Sequence, residues 1–258
     1  TSIKIMVDGV LENFTGAMIE PYCDGHGGHG TNRGLTYLDP EVHLAAVVEL
    51  DRLGFQVHQH AIGDRAVRLA LDTIEAARKA NGSNDNRHHI AHLQVVQPTD
   101  VARFADLGVV ANIQAYWAQS EPQMNELTIP YLGPERAELQ YPFASLLRSG
   151  ARLAMGSDWA VTTANPLEQI EVAVTRVDPE HRVNLPFLPA ERLSLDEALT
   201  AFTAGSAFVN HDPDAGVLRP GARADLAVLD RDIRTRPARE IADASVELTV
   251  AAGRVVHG

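Results

Sequence analysis

Histidines and aspartates at short, regular spacings are the residues of this chain best suited to chemistry. Val57-His58-Gln59-His60-Ala61-Ile62-Gly63-Asp64 carries two imidazoles, His88-His89-Ile90-Ala91-His92 carries three, and Gly156-Ser157-Asp158-Trp159 offers one carboxylate. Residues two apart on a strand share a face, so His58 goes with His60, and His88 lies on the face of His92. Neutral imidazole is the commonest transition-metal ligand, and two imidazoles with a carboxylate suit zinc, iron or manganese. His60, His92 and Asp158 stand outermost on their segments and are the candidate metal ligands. His58 and His88 are candidate substrate-binding residues. Any one of these histidines alone reads as an ordinary satisfied or surface imidazole; their recurrence at successive segment ends is the signal.

The elements that must position them alternate. Strands are expected over Ile3 to Val7, Gln56 to His60, His88 to His92, Val109 to Ile113 and Leu153 to Ser157. Helices are expected over Pro40 to Leu53, Asp64 to Ala80, Pro98 to Leu107, Pro142 to Ser149 and Pro166 to Arg176. This is the pattern of parallel βαβ construction, with a sheet buried on both faces. Asp39 and Asp64 stand where helix N-caps sit, and Gly54, Gly82, Gly108 and Gly150 where helices stop. Parallel barrels build their active sites at the C-terminal ends of the strands, where the histidines and Asp158 fall. Five strands cannot close an eight-stranded barrel, so a partial (β/α)8 barrel lacking roughly three βα units is expected. A further helix over Ser194 to Phe208 precedes short strands and turns at Val217-Leu218, Gly221 to Leu229 and Val246 to Val256. The expected division is a barrel part over residues 1–210 and part of a small β-sandwich over 211–258.

The chain has 258 residues, of which 45% are apolar and 22% charged, as in an ordinary globular protein. Its net charge of -12 disfavours nucleic acid and anionic membranes as partners, since both require a positive face. Cys23 is the only cysteine, which excludes an intramolecular disulfide and makes a cytoplasmic location the default. No apolar run approaches the ~20 residues that span a bilayer, and residues 1–10 lack the order of a signal peptide. The sequence does not fix the oligomeric state; a homodimer is compatible with it.

Five segments resemble, in order, family 3 of the amidohydrolase superfamily, the YtcJ-like and N-substituted formamide deformylase group. They are Ile3-Lys4-Ile5-Met6-Val7-Asp8-Gly9, His60-Ala61-Ile62-Gly63-Asp64-Arg65-Ala66, Arg87-His88-His89-Ile90-Ala91-His92-Leu93-Gln94, Gly156-Ser157-Asp158-Trp159 and Gly221-Ala222-Arg223-Ala224-Asp225-Leu226. The resemblance covers nearly the whole chain and aligns it with strands four to eight of the barrel. It implies that Lys4, on strand four, is carboxylated and bridges two metals, that His60 and His92 are ligands from strands five and six, and that Asp158 binds metal and handles the proton of the attacking water. The implied cofactor is one or two divalent ions, zinc foremost, and the implied substrate a small molecule with an amide-type C–N bond.

The sequence departs from the group at two points. Arginine and glutamate are expected where His89 and Ala91 stand, which alters the surroundings of His92. Metal-dependent hydrolases of this architecture also carry a His-x-His motif on the first strand. His58-Gln59-His60 cannot be that motif, because too few strands follow it. The chain is therefore expected to fold yet to be inactive or impaired by itself. A non-catalytic regulatory or binding protein on the same fold, like the exoenzyme regulators of this group, is the alternative; deamination of a ring substrate is a third reading. Gln114, Tyr116 and Trp117 either line the substrate pocket or pack as core. His26-Gly27-Gly28-His29-Gly30 reads as a flexible lid, with metal binding as the lesser alternative. Asp64 and Arg65 read as a helix cap and a loop anchor.

Overall fold

Strands and helices alternate up to residue 175 in a computed structural model that describes residues 1–26 and 28–258. Gly27, within the expected lid, lies outside the described residues. The strands are β1 (Ser2–Met6), β2 (Gln56–Ala61), β3 (His89–His92), β4 (Val110–Ile113) and β5 (Leu153–Met155). Between and after them come α1 (Pro40–Arg52), α2 (Asp64–Asn81), α3 (Pro98–Asp106), the single turns α4 (Ile129–Leu132) and α5 (Pro134–Ala137), α6 (Phe143–Arg148) and α7 (Pro166–Thr175). Every strand and long helix expected in this region is present, with ends shifted by at most two residues. α4 and α5 were not expected, because Pro130, Gly133 and Pro134 break the helical pattern there into single turns.

The sheet order is β1-β2-β3-β4-β5, and β1 to β4 pair in parallel with Lys4 opposite His58, Met6 opposite His60, and His58 opposite His89. Which face is which follows from Gln59. Its buried amide bonds His43 of α1 (2.7 Å) and the Ala70 carbonyl (3.2 Å) and Thr73 (3.3 Å) of α2. Gln59 therefore points into the helix layer, and alternation puts Lys4, His58 and His60 on the opposite face.

The chain divides into two compact units, residues 1–113 with 121–153, and residues 114–120 with 154–258. The boundary expected at 210/211 falls inside the second. In the first unit, Val47, Val57, Leu71, Ile74, Ile90 and Phe104 are fully buried between sheet and helices. At the end of the sheet where the strands begin, Asp51 accepts hydrogen bonds from Asn81 (2.8 Å), Asn84 (2.7 Å), Asn86 (2.8 Å) and His88 (2.8 Å).

In the second unit, α7 presents a buried Glu171 to Arg182 (2.9 Å) and to the Ala242 N–H (2.8 Å). The helix expected over Ser194 to Phe208 is α8 (Leu195–Thr200), a wider π turn over Ala201–Gly205, and α9 (Ser206–Val209). Val217 and Leu218 form no strand. The last expected strand is a hairpin, β7 (Val246–Ala251) and β8 (Arg254–His257), and β6 (Leu226–Leu229) completes a three-stranded antiparallel sheet in the order β6-β7-β8. Asp225, of the Gly-Ala-Arg-Ala-Asp-Leu segment, accepts the Ala252 N–H at the hairpin turn (2.7 Å) and pairs with Arg223. That motif is structural here. Among the described residues no helix is long and apolar enough to cross a membrane.

Candidate functional site

Residues of the Val-Asp-Gly and His-Ala-Ile-Gly-Asp segments shape the ends of β1 and β2 together. Asp8 is fully buried and its carboxylate accepts the N–H groups of Ala17 (2.8 Å), Ile62 (3.0 Å) and Gly63 (2.9 Å). Burial pushes its carboxyl up to about 7, against the lowering effect of those three bonds. His60, next to this turn, places Nε2 2.9 Å from the Gly9 carbonyl oxygen and 3.6 Å from Asp8. A carbonyl only accepts, so Nε2 carries a proton. The ring of His92 stands edge-on to that of His60, centroid to centroid 4.5 Å.

His92 ends β3 with φ 80° and is followed by Leu93 at 54°, a conformation that side-chain-bearing residues seldom adopt. Leu93 N–H bonds the Ala61 carbonyl (3.0 Å) and Val95 N–H the Ile62 carbonyl (2.9 Å), so the ends of β2 and β3 hold each other in this turn. Such strain of about 1–3 kcal/mol persists where surrounding structure imposes it, often at functional sites.

Below this pair lies a second. His58 and His89 stack, with centroids 4.1 Å apart and planes at 29°. Burial, with Lys4 and His60 nearby, pushes His58 down to about 4; burial, with His58 and Lys4, pushes His89 down to about 3. Both are neutral imidazoles in the physiological range. Asn112 Nδ2 lies 3.2 Å from His89 Nδ1, which makes that nitrogen the acceptor and puts the proton on Nε2. His58 Nε2 is buried with no hydrogen-bond partner among the described residues. Lys4 is exposed on this face.

The expectation for His88 is corrected. It precedes β3, is buried, accepts the Val57 N–H on Nδ1 (3.0 Å) and bonds Asp51 through Nε2 (2.8 Å), so both ring nitrogens serve the fold. Counting back from His92 misled because the positive φ at that residue interrupts strand alternation. His89, singled out only as a departure from the family, is the imidazole that faces His58. Asp64 is likewise not the cap of its helix. Gly63 is the N-cap residue, and the Ala17 carbonyl receives the Arg65 (3.0 Å) and Ala66 (3.3 Å) N–H groups. The Asp64 carboxylate instead accepts the Ile19 N–H (2.8 Å) and Gln97 Nε2 (2.6 Å), while Arg65 anchors a loop through the Arg33 carbonyl (3.1 Å), as expected.

Asp158, Gln114, Tyr116 and Trp117 belong to the second unit. Asp158 follows β5 with φ 55°, and its carbonyl accepts the Val161 N–H (2.8 Å). Gln114 is buried, Tyr116 and Trp117 are half-buried, and burial with the carboxylates of Asp178, Glu168 and Glu180 pushes the Tyr116 phenol up. Sequence reasoning overlooked Gln169 of α7, whose only signal was an uncharged polar residue in an apolar helix. Its fully buried amide accepts the Tyr116 N–H (3.0 Å) and lies 3.4 Å from Thr162 Oγ1 and 3.5 Å from the Thr163 carbonyl. Thr162 in turn donates to the Ser157 carbonyl (2.6 Å). One side chain thus ties the segment bearing Tyr116 and Trp117 to the loop bearing Asp158. Gln169→Ala is expected to cost about 1–2 kcal/mol and to make the half-buried Trp117 more accessible to acrylamide quenching.

Among the described residues, no three or more His, Cys, Asp or Glu side chains gather closely enough to hold a metal ion. What is assembled is an imidazole pair, His60 and His92. The donor chemistry suits a divalent ion, and a complete set needs further ligands.

Residues 1–257 match the Amidohydrolase family. The chain belongs to that family. Among its relatives, it is 35% identical over 259 residues to Protein LONG AFTER FAR-RED 3 of Arabidopsis thaliana, covering 99% of this chain and 42% of the relative. It is 30% identical over 237 residues to the N-substituted formamide deformylase of Arthrobacter pascens, covering 90% and 41%. An uncharacterized metal-dependent hydrolase of Pyrococcus horikoshii OT3 has a similar structure, with a TM-score of 0.77, 27% identity, and coverage of 92% of this chain and 45% of that one. The chain therefore spans less than half the length of these relatives.

Proposed function

We propose that this chain contributes strands four to eight of an amidohydrolase (β/α)8 barrel and the metal ligands they carry, in a hydrolase acting on non-peptide amide-type C–N bonds. The observation that carries this reading is the His60–His92 pair at the ends of adjacent parallel strands, with His60 Nε2 held by the Gly9 carbonyl. Lys4, on the same face of the sheet, is the residue for carboxylation, and its carbamate would supply an oxygen ligand that the lysine lacks. The family resemblance assigns the metal-binding carboxylate to Asp158, which follows β5. These groups would hold a divalent ion, zinc in the first instance, which would supply a lowered pKa for water and polarisation of a carbonyl. Asp158 accepts the proton of the attacking water and delivers it to the leaving nitrogen. His58, Gln114, Tyr116 and Trp117 are the candidate substrate-binding residues.

Metal analysis of the purified protein, dialysed against zinc and then against buffer, tests the reading. Up to two divalent ions per chain are expected, with a lower content in His60→Ala. Unchanged content in that variant refutes the ligand assignment. A wild-type protein that takes up no metal favours a regulatory or binding protein on this fold.

A further inference from the structure

Helix α2 closes on the pair Asn81-Gly82, which has no part in the proposed chemistry and stands at the end of the sheet where the strands begin. Both residues are exposed, as are Ser83 and Asn84 after them. In an asparagine followed by glycine the next backbone nitrogen reaches the side-chain amide most readily, because glycine has no Cβ to obstruct the approach.

The fold opposes that attack in three ways. Asn81 is the last residue of α2. Ring closure needs its Cβ, Cα and C nearly coplanar with the Gly82 nitrogen, far from the helical ψ of about −42°. Gly82 N–H is committed to the Arg78 carbonyl at 3.0 Å. Asn81 Nδ2, the nitrogen that would leave, donates to the Val48 carbonyl (2.9 Å) and to Asp51 Oδ2 (2.8 Å), both on α1. Lifting the last turn of α2 off α1 removes all three restraints together.

The same bonds decide what the product does. Asp51 Oδ1 accepts from Asn84, Asn86 and His88, whereas Oδ2 accepts from Asn81. We infer that Asn81-Gly82 is a deamidation site that the fold guards while α2 is docked on α1, and that the reaction, once it occurs, unlatches the two helices. The Gly82 nitrogen bonds Asn81 Cγ, the Cγ–Nδ2 bond breaks, and ammonia leaves with the Gly82 proton. Water then opens the imide at Cγ to give aspartate, or at the backbone carbonyl to give isoaspartate; nothing is oxidised or reduced. Either acid lacks the two donors that served Val48 and Asp51 and sets a second carboxylate against that of Asp51.

Peptide mapping by mass spectrometry tests the guard. Wild-type protein is held for weeks at mildly alkaline pH, folded or unfolded in guanidinium chloride, and the amide-to-acid mass increment is followed at each asparagine of residues 80–87. In the unfolded chain Asn81 should convert ahead of Asn84 and Asn86, which precede Asp85 and Arg87. In the folded protein its conversion should be slower by about tenfold or more, since only the open helix end reacts. Equal rates in the two states, or an unfolded chain in which Asn81 does not lead, overturn the inference.

Urea midpoints test the latch. Asn81→Asp should lower the midpoint more than Asn81→Ala. Adding Asp51→Asn to Asn81→Asp should recover part of the loss, because the new amide donates to the new carboxylate while its oxygen still accepts from Asn84, Asn86 and His88. A midpoint for Asn81→Asp at or above that of Asn81→Ala, or no recovery in the double variant, overturns the latch. If neither single variant folds, the wild-type rates decide alone.

Discussion

Asp51→Ala is expected to lower the free energy of unfolding by about 3 kcal/mol, because it leaves the buried His88 Nε2 and three less buried asparagine amides without their acceptor at once. Three asparagine amides and His88 Nε2 converge on this one carboxylate at 2.7 to 2.8 Å. They join the C-terminal end of α1, the 81–86 loop and the segment entering β3. His88 cannot compensate by changing tautomer, since its Nδ1 already accepts the Val57 N–H. Burial raises the Asp51 carboxyl, but the hydrogen bonds from Asn81, Asn84, His88 and Asn86 outweigh it and hold the group at about 2. A carboxylate depressed on folding stabilises the protein above its unfolded value of 3.8 and ceases to do so as the pH falls through about 2. Urea denaturation at neutral pH measures the first effect. An acid series on wild type and variant measures the second, and the variant should lack this part of the loss. A change below about 1 kcal/mol at neutral pH would contradict the account.

Gly63→Ala is expected to cost about 3 kcal/mol, with denaturant melts as the measurement. A Cβ added here would lie 2.1 Å from the Ala17 carbonyl oxygen and 2.6 Å from its carbon. Those are backbone atoms, so no rotamer change relieves the clash. The same carbonyl receives the first N–H groups of α2, and Gly63 N–H itself bonds Asp8. One methyl group therefore strains the helix start and the turn beside His60 together. A stability within about 0.5 kcal/mol of wild type would show that the loop yields more easily than these contacts allow.

The fold of the first 175 residues was legible because strand and helix differ in hydrophobic period, and each long helix carries its own stop, as at Gly82 with φ 81°. The single turns around Pro130 and Pro134 were not, since too few residues separate the breakers to show a period. At the site, His60 and His92 were singled out from position alone, and Lys4 only through family resemblance, because one lysine on a strand carries no chemical signature. His88 was misassigned for want of a backbone angle at His92. Asp8 and Gln169 were invisible as site-shaping residues. Their bonds are to backbone groups or to loops distant in sequence, and no local pattern encodes such partners.

The proposal at the centre of this reading is that His60 and His92 ligate a divalent ion together with a carboxylated Lys4. Anomalous diffraction at the zinc edge, from crystals of the protein grown with zinc and bicarbonate, tests it most directly. The account predicts an anomalous peak within bonding distance of His60 Nδ1 and His92, with carbamate density extending Lys4 Nζ towards it. A map with zinc elsewhere and none at the His60–His92 pair would contradict it.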